Sequence, residues 1–548
     1  MNTPISHLRA DPGDRAAGAP AAPPRRAAQR GQVLVIFAGA TLLLTLLLAV
    51  VVDVSWYWAS TLRVQRAADA AALAGAVYLP GDVPKAVTRA RDEATKNGYA
   101  NGVNATVTPV QDPLNNRQLN VTLTANVGTF FMRVIGIGTI PATRVAKAEY
   151  VLPVPMGSPE NYYGAYGPIR KANGTSIPLT GPGGAAITPR GFWAEMLSQG
   201  AETINGDAYL PYYDRRTSAV NSIGYDQTGH YIYAVEIPPG ATGGTVSLFD
   251  PGFCHGDLQY GTGDNWVTGI GTPVSAFYNL YDTNNTPYYT GDDTLVASSG
   301  NTFRRSTGKD GDYTAAADTP GPVGCDAYHM KWYTLAAGLS GGAAGGGGKT
   351  YWLYTTTADP SLPDDQKGTN ARNGFAIYVS ASGGTGTPRV YGKGSMEMYT
   401  PLPGGQSSEF YLAQIDAIHA GKTMEIRLWD PGDTNQNANI QILKPTASGW
   451  VTATFSWTAA KGTTNSGASY CTGTSGTNVT SVATYASGSK FNGCWLTIRV
   501  KIDTAYAAPL DGWWRIRYNM LGAPGTSATD ITTWEVNIRG NPVHLKVP

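Results

Sequence analysis

The chain has 548 residues, with 40 basic and 39 acidic side chains and a net charge of +1. Only 14% of residues are charged, against 42% apolar, 67 glycines and 36 prolines. This balance excludes an intrinsically disordered chain, argues against a coiled coil or helical bundle, and provides no basic field for nucleic acid. With 31 Tyr and 13 Trp there is enough apolar surface for several cores, and the length suggests about three or four domains, mainly β and of the secreted kind.

Residues 1–30 form a Pro/Ala/Arg tail carrying Arg9, Arg15, Arg25, Arg26 and Arg30. The tail lacks apolar periodicity and is expected to be disordered. Residues 33–52, VLVIFAGATLLLTLLLAVVV, contain no charge, and twenty such residues cross a ~30 Å hydrocarbon core as a helix. We assign 31–54 as the transmembrane helix. The arginines before it place the N-terminus in the cytoplasm and everything after Asp53 outside. Arg30 on one flank and Trp56, Tyr57 and Trp58 on the other read as anchors at the membrane interfaces. A cleaved signal peptide fits less well, because the run exceeds a usual apolar core and no small-residue cleavage site follows it.

The helix is expected to continue. Residues 55–79 lack Pro, are rich in Ala, and place Arg66 and Asp69 three apart. Pro80-Gly81 ends the run, so 32–79 would make a rod of roughly 72 Å at 1.5 Å per residue. Its Ala face (Ala67, Ala70, Ala71, Ala74) needs a partner. Asp82 can cap a helix from Pro84 to Lys96, which Asn97-Gly98 stops. ATVTPV (105–110), LNVTLTANV (119–127) and TIPATRVAKAEYVL (139–152) read as strands, and FFMRVIG (130–136) as a short helix.

GQVLVIFA (31–38), Val52-Asp53, LRVQRAADAAALAGA (62–76) and the later FFMRVIG occur in this order. Together they resemble the TadE/TadG-like module of Flp pilus assembly proteins over residues 30–152, with Gly31, Asp53, Gln65 and Asp69 as motif positions. The resemblance implies a pilin-like α+β module in a membrane-anchored component of a tight-adherence (Tad/Flp) pilus or secretion system. Its partners would be the lipid bilayer and other Tad/Flp pilus proteins. A type IV prepilin carries Glu at the fifth position after its cleavage-site glycine; counting from Gly31 that position is Ile36. Neither prepilin processing nor incorporation as a shaft subunit is therefore expected. Asp53-Val54-Ser55 lacks the second Ser of a von Willebrand A metal motif, so no such domain is expected.

Residues 153–205, rich in Gly, Pro and Tyr, read as a linker, and GFWAEMLSQGAE (191–202) offers one helix within it. A repeat follows. YIYAVEI (231–237) and TVSLFDPG (245–252) are echoed by FYLAQID (410–416) and TMEIRLWDPG (423–432); YWLYTT (351–356) and GFAIYV (374–379) are echoed by WWRIRY (513–518) and WEVNI (534–538). Short alternating strands between Gly, Pro, Asn and Asp turns indicate β-sandwiches or jelly rolls. The two copies are placed at 206–385 and 386–548, with the strand from Val543 to Val547 closing copy two. Each Asp-Pro-Gly is a turn, Pro fixing φ and Gly supplying the positive φ. In an oxidising compartment, Cys254 would pair with Cys325 and Cys471 with Cys494.

Other motifs carry less. AAGGGGKT (343–350) resembles a phosphate loop, but a strand rather than a helix follows it. His255 beside Cys254 has no nucleophile elbow. Asp430, Asp433 and Asn435, and Asp282, Asn284, Asp292 and Asp293, lack calcium-loop spacing and read as solvated turn residues. Trp352, Trp513 and Trp514 are either sugar-stacking platforms or core. The expected fold class is an α+β pilin-like module with one transmembrane helix, followed by two mainly β sandwich or jelly-roll domains in tandem. The expected role is non-enzymatic, without cofactor, metal or nucleic acid. The alternative is a surface adhesin or carbohydrate-binding protein on the same anchor, with cell-wall or surface polysaccharide as its partner.

Overall fold

The structure is a computed structural model. It describes residues 29–546 except 80–82, 114–116, 151–153, 166–168, 171–175, 189–190, 199–202, 210–212, 215–218, 221–230, 254–274, 285–292, 305–329, 346, 358–371, 404, 433–436, 462–470, 472–474, 486–489, 523–526 and 540–542. The tail before Gln29, the cap at Asp82 and the pair Cys254–Cys325 lie outside the described residues.

One helix, α1 (Gln29–Ala76), carries the apolar run and continues beyond it. Its two hydroxyls within the run are satisfied by the helix itself: Thr41 Oγ1 donates to the Phe37 carbonyl and Thr45 Oγ1 to that of Thr41, both at 2.8 Å. That removes the main cost of a polar atom in lipid. Past the run, Val64, Ala67, Ala68, Ala71, Ala72 and Ala76 are buried. They face α2 (Val83–Lys96), which returns Ala86, Ala90 and Ala94 at a spacing of four. The seam is made of small residues because the helices approach closely. A Cβ on Gly75 would lie 2.7 Å from the Ala86 carbonyl oxygen and 3.0 Å from the Ala90 Cβ.

The helices lie on an antiparallel sheet of β1 (Ala105–Gln111), β2 (Gln118–Gly128) and β3 (Thr139–Tyr150). The period-two pattern of β2 buries Leu119, Val121, Leu123, Ala125 and Val127 against them. A fourth strand comes from the far end of the chain. Val543–Lys546 pairs with β3, Glu149 opposite His544. This corrects the expectation that it closes copy two: the C-terminal segment returns to the N-terminal module and covers the edge that β3 would otherwise expose.

Two large antiparallel sheets form the rest. The strands used below are β4 (Pro155–Met156), β5 (Trp193–Leu197), β6 (Tyr231–Ile237), β7 (Thr242–Phe249), β8 (Ser275–Asp282), β9 (Trp332–Leu339), β10 (Lys349–Thr356), β11 (Arg372–Ser382), β12 (Arg389–Lys393), β13 (Ser395–Pro403), β14 (Ser407–Gln414), β15 (Thr423–Trp429), β16 (Ala438–Thr446), β17 (Phe455–Lys461), β18 (Cys494–Lys501), β19 (Trp513–Met520), β20 (Ser527–Arg539) and β21 (Val543–Lys546). One sheet runs β8-β10-β6-β12-β4-β14-β19-β16. The other runs β9-β7-β11-β5-β13-β20-β15-β18-β17. Each of the four echoed sequence pairs is equidistant from one axis, between β12 and β4 in the first sheet and between β5 and β13 in the second: β6 and β14, β10 and β19, β7 and β15, β11 and β20. The sheets pack face to face over one continuous core.

Two described strands of the segment expected as a linker are woven into this core. β4 lies between β12 and β14, and β5 between β11 and β13. The helix expected at 191–202 is instead β5, whose five residues are all buried. Phe192 explains the override. Its ring meets Tyr163 and Phe410 at 5.2 Å and Trp534 at 5.5 Å, and Tyr163 meets Tyr233 at 5.0 Å. A local helix would forfeit these contacts, and tertiary packing outweighs weak helix propensity.

Cys471 and Cys494 form a disulfide, as expected. In the Asp-Pro-Gly turns Gly432 takes the expected positive φ, +86°, and Gly252 does not; both aspartates also lie at positive φ, +50° at Asp250 and +55° at Asp430. Their carboxylates hold them there. Asp250 Oδ1 accepts from the Met330 N–H at 3.1 Å, and Asp430 Oδ1 from the Gly493 N–H at 2.7 Å. Both are fully buried rather than solvated.

Candidate functional site

The charge-free run of α1 ends at Asp53, the first place where a carboxylate must be satisfied. A buried charge without donors is very costly, and Asp53 is 2% exposed. Its donors come from the turn after β2. The Phe130 N–H donates to Oδ1 at 2.7 Å, and the Phe131 and Met132 N–H groups donate to Oδ2 at 3.0 and 2.7 Å. These are the unpaired leading amides of the single 3-10 turn Met132–Ile135, which offer the positive end of their dipoles to an anion. Gly136, at φ +90°, closes that turn.

The anchor aromatics divide between two tasks. The Trp56 ring packs edge-on against Phe130 with centroids 5.4 Å apart, under the Arg63 guanidinium at 5.0 Å. Tyr57 Oη donates to the Pro141 carbonyl at 3.2 Å. Trp58 stays 65% exposed. Trp56 and Tyr57 therefore fasten the helix to its own module, and Trp58 faces outward. About two turns on, Gln65 Nε2 donates to Asp69 Oδ1 at 2.8 Å and to the Val145 carbonyl at 3.2 Å. Gln65 thus holds the Asp69 carboxylate and bridges the helix to β3. Arg30 and Gly31 lie in the first turn of α1.

A second polar centre joins the module to the sandwich. Glu149 on β3 is fully buried, with Lys546 on β21 at 3.0 Å and Arg117 at 3.9 Å. His419, from the turn after β14, is buried close by. Burial, reinforced by Lys422, pushes its imidazole down to about 4. Neither Glu149 nor Lys546 stood out in the sequence, because the pair forms only when the C-terminal strand returns across nearly four hundred residues.

The third cluster spans the centre of the second sheet. Glu195 on β5 and Glu397 on β13 are both sealed in, and burial holds their carboxyls well above the usual range. Beside them Tyr231 Oη donates to Asp207 at 2.6 Å, and Arg427 and Ser395 donate to Glu535 at 2.7 and 3.0 Å. A carboxyl closed off from solvent can hold two halves in register but cannot meet a substrate. Trp352, Trp513 and Trp514 are each at most 3% exposed, so all three are core rather than stacking platforms. Among the described residues, no group of three or more His, Cys, Asp or Glu is placed to hold a metal ion.

One helix among the described residues is long and apolar enough to cross a membrane, by length and composition. Residues 31–77 match the family model described as putative Flp pilus-assembly TadE/G-like. The match ends one residue past α1 and contains Asp53, the aromatic anchors, Gln65 and Asp69. A comparison with curated proteins finds no match to the chain.

Proposed function

We propose that this chain is a TadG-like, non-enzymatic component of a tight-adherence pilus assembly or secretion system, anchored by α1 and projecting its β-rich bulk on the extracytoplasmic side. The observation that carries this reading is the location of the family match. It covers the one helix that both leaves the apolar run and nucleates a folded module at its exit, through Asp53.

In this reading α1 fixes position in the bilayer and the helix-on-sheet module stands on the outer leaflet. The sandwich, two copies of one β unit at 206–385 and 386–548 with 153–205 filling their seam, presents its faces to other pilus proteins. The Cys471–Cys494 disulfide suits an oxidising compartment outside the cytoplasm. The arginines ahead of the span set the orientation. The adhesin alternative has lost its three tryptophan platforms to the core, which weakens polysaccharide as the main partner.

The test is a deletion strain scored for pili and attachment, complemented by the full chain or by a form ending at residue 152. Loss of pili in the deletion, restored by the full chain, supports assembly. Normal pili with lost attachment would instead favour the adhesin.

A further inference from the structure

The turn held by Asp53 exposes a group of side chains that a soluble surface rarely shows together. Val134 is 84% exposed and Ile135 75%, and Phe130, Phe131 and Ile137 are exposed beside them. Isolated apolar residues on a surface need no explanation, but a contiguous cluster on one turn does. Its position supplies the explanation. The turn's amides bind Asp53, the residue that immediately follows the apolar run. Across 32–52, Ala49 alone is half-buried and the other residues are exposed. The Trp56–Phe130 ring contact, 5.4 Å between centroids, holds the turn beside the helix just past the end of that run. Arg133 within the turn adds a cationic group close to Asp53.

We infer that the turn 130–137 is a second membrane contact: its apolar tip is buried in the outer leaflet beside α1, with Arg133 at the headgroups. This rests on α1 being the membrane anchor. The patch is joined to the outer end of the apolar run by the Asp53 bonds and the Phe130–Trp56 contact, the level at which interfacial segments bury an apolar face roughly 5–10 Å into the headgroup–acyl boundary. Lipid is therefore the occupant the geometry selects, ahead of a protein partner. The consequence is orientational. A lone helix leaves the module free to tilt and swivel, whereas a helix and a wedge held at a fixed offset by Asp53 define one standing orientation for everything beyond.

The experiment uses the full chain in nanodiscs of phosphatidylcholine and phosphatidylglycerol. An environment-sensitive fluorescent amino acid is introduced by codon suppression at position 134, or separately at position 44 in mid-span. Emission is read with lipids brominated along the acyl chain and, separately, with a water-soluble quencher. The expected result is quenching by at least ~twofold from brominated lipid at both positions, with blue-shifted emission at 134, as for a side chain below the headgroups. Quenching at 44 with water-accessible emission at 134 overturns the wedge and leaves the anchor standing. Emission at 134 shielded from both quenchers means a protein partner covers the patch, which also overturns the proposal. Absence of lipid quenching at 44 removes the anchor and the wedge together.

Discussion

Replacing Asp53 with Ala tests whether one carboxylate fastens the module to its helix. The side chain accepts three backbone bonds of 2.7, 3.0 and 2.7 Å. A hydrogen bond to a charged group is worth about 1.5–3 kcal/mol, and stranding a buried donor costs about as much again. The three share one carboxylate and the turn can relax, so a plain sum overstates the effect; about 3–5 kcal/mol of local stability is a reasoned figure on the same scale. At 1.36 kcal/mol per decade, the lower bound corresponds to roughly a hundredfold rise in opening of the turn. Amide hydrogen exchange at 130–132, followed by mass spectrometry on the full chain in the same bilayer for both proteins, reads this directly. Asp53→Asn should fall between the two, because its single oxygen can keep only part of the set while its amide group faces donors. The reasoning fails if exchange at 130–132 in Asp53→Ala stays within about threefold of the parent, since that would put the three bonds together below ~1 kcal/mol.

Gly75→Leu should separate α1 from α2, since any Cβ there already meets the Ala86 carbonyl at 2.7 Å; overpacking of this kind costs about 1–3 kcal/mol or more, visible as lost helix protection in 83–96. Cys494→Ser opens a loop of 23 residues' separation and should lower stability of the β17–β18 end by about 3 kcal/mol, measured as a shift in denaturant midpoint. His419 gives a pH dependence of definite sign. Its folded value of about 4 lies below the ordinary imidazole value of 6.5, so the unfolded chain takes the proton first. Its contribution is whole above about pH 6.5, lost progressively as pH falls, and gone near pH 4, a change of at most ~3 kcal/mol. His419→Gln should flatten the pH 7.5-to-4.5 stability difference by about 2 kcal/mol, and an unchanged slope would show that other groups set it.

Much of the N-terminal module was legible because its signals are local. A charge-free run, an Ala-rich stretch and period-two strands each fix an element from neighbouring residues, and the helix and strands lie where those patterns put them; the buried face is Ala67, Ala68, Ala71, Ala72 and Ala76, with the expected Ala70 and Ala74 only half-buried. Asp53 was visible as a motif position; what it binds was not, because its three donors are backbone amides more than seventy residues away. β5 went unread for a related reason. WAEML carries no alternation, since a strand buried on both faces has no polar side to mark its period. The final strand was recognised as a strand and placed in the wrong sheet. Its four residues say nothing about their neighbour; the choice is made by Lys546 meeting Glu149 and by the bare edge of β3.

That last pairing determines how position in the membrane is transmitted to the sandwich. The chain crosses between the module and the sandwich twice, once after β3 and once after β20, and the two crossings end in adjacent strands. A single linker would let the sandwich rotate about one bond path, whereas two antiparallel strands in register resist rotation through their ladder and side chains. A chain ending at residue 540 tests this. It removes β21, takes Lys546 from the buried Glu149, and uncovers the β3 edge. The amides of Lys147–Tyr150 should lose protection, and proteolysis near 151–154 should accelerate severalfold while the sandwich core stays protected. If cleavage and exchange match the full chain, the crossing after β3 is rigid by itself, and the returning strand is a cover for an edge rather than a brace.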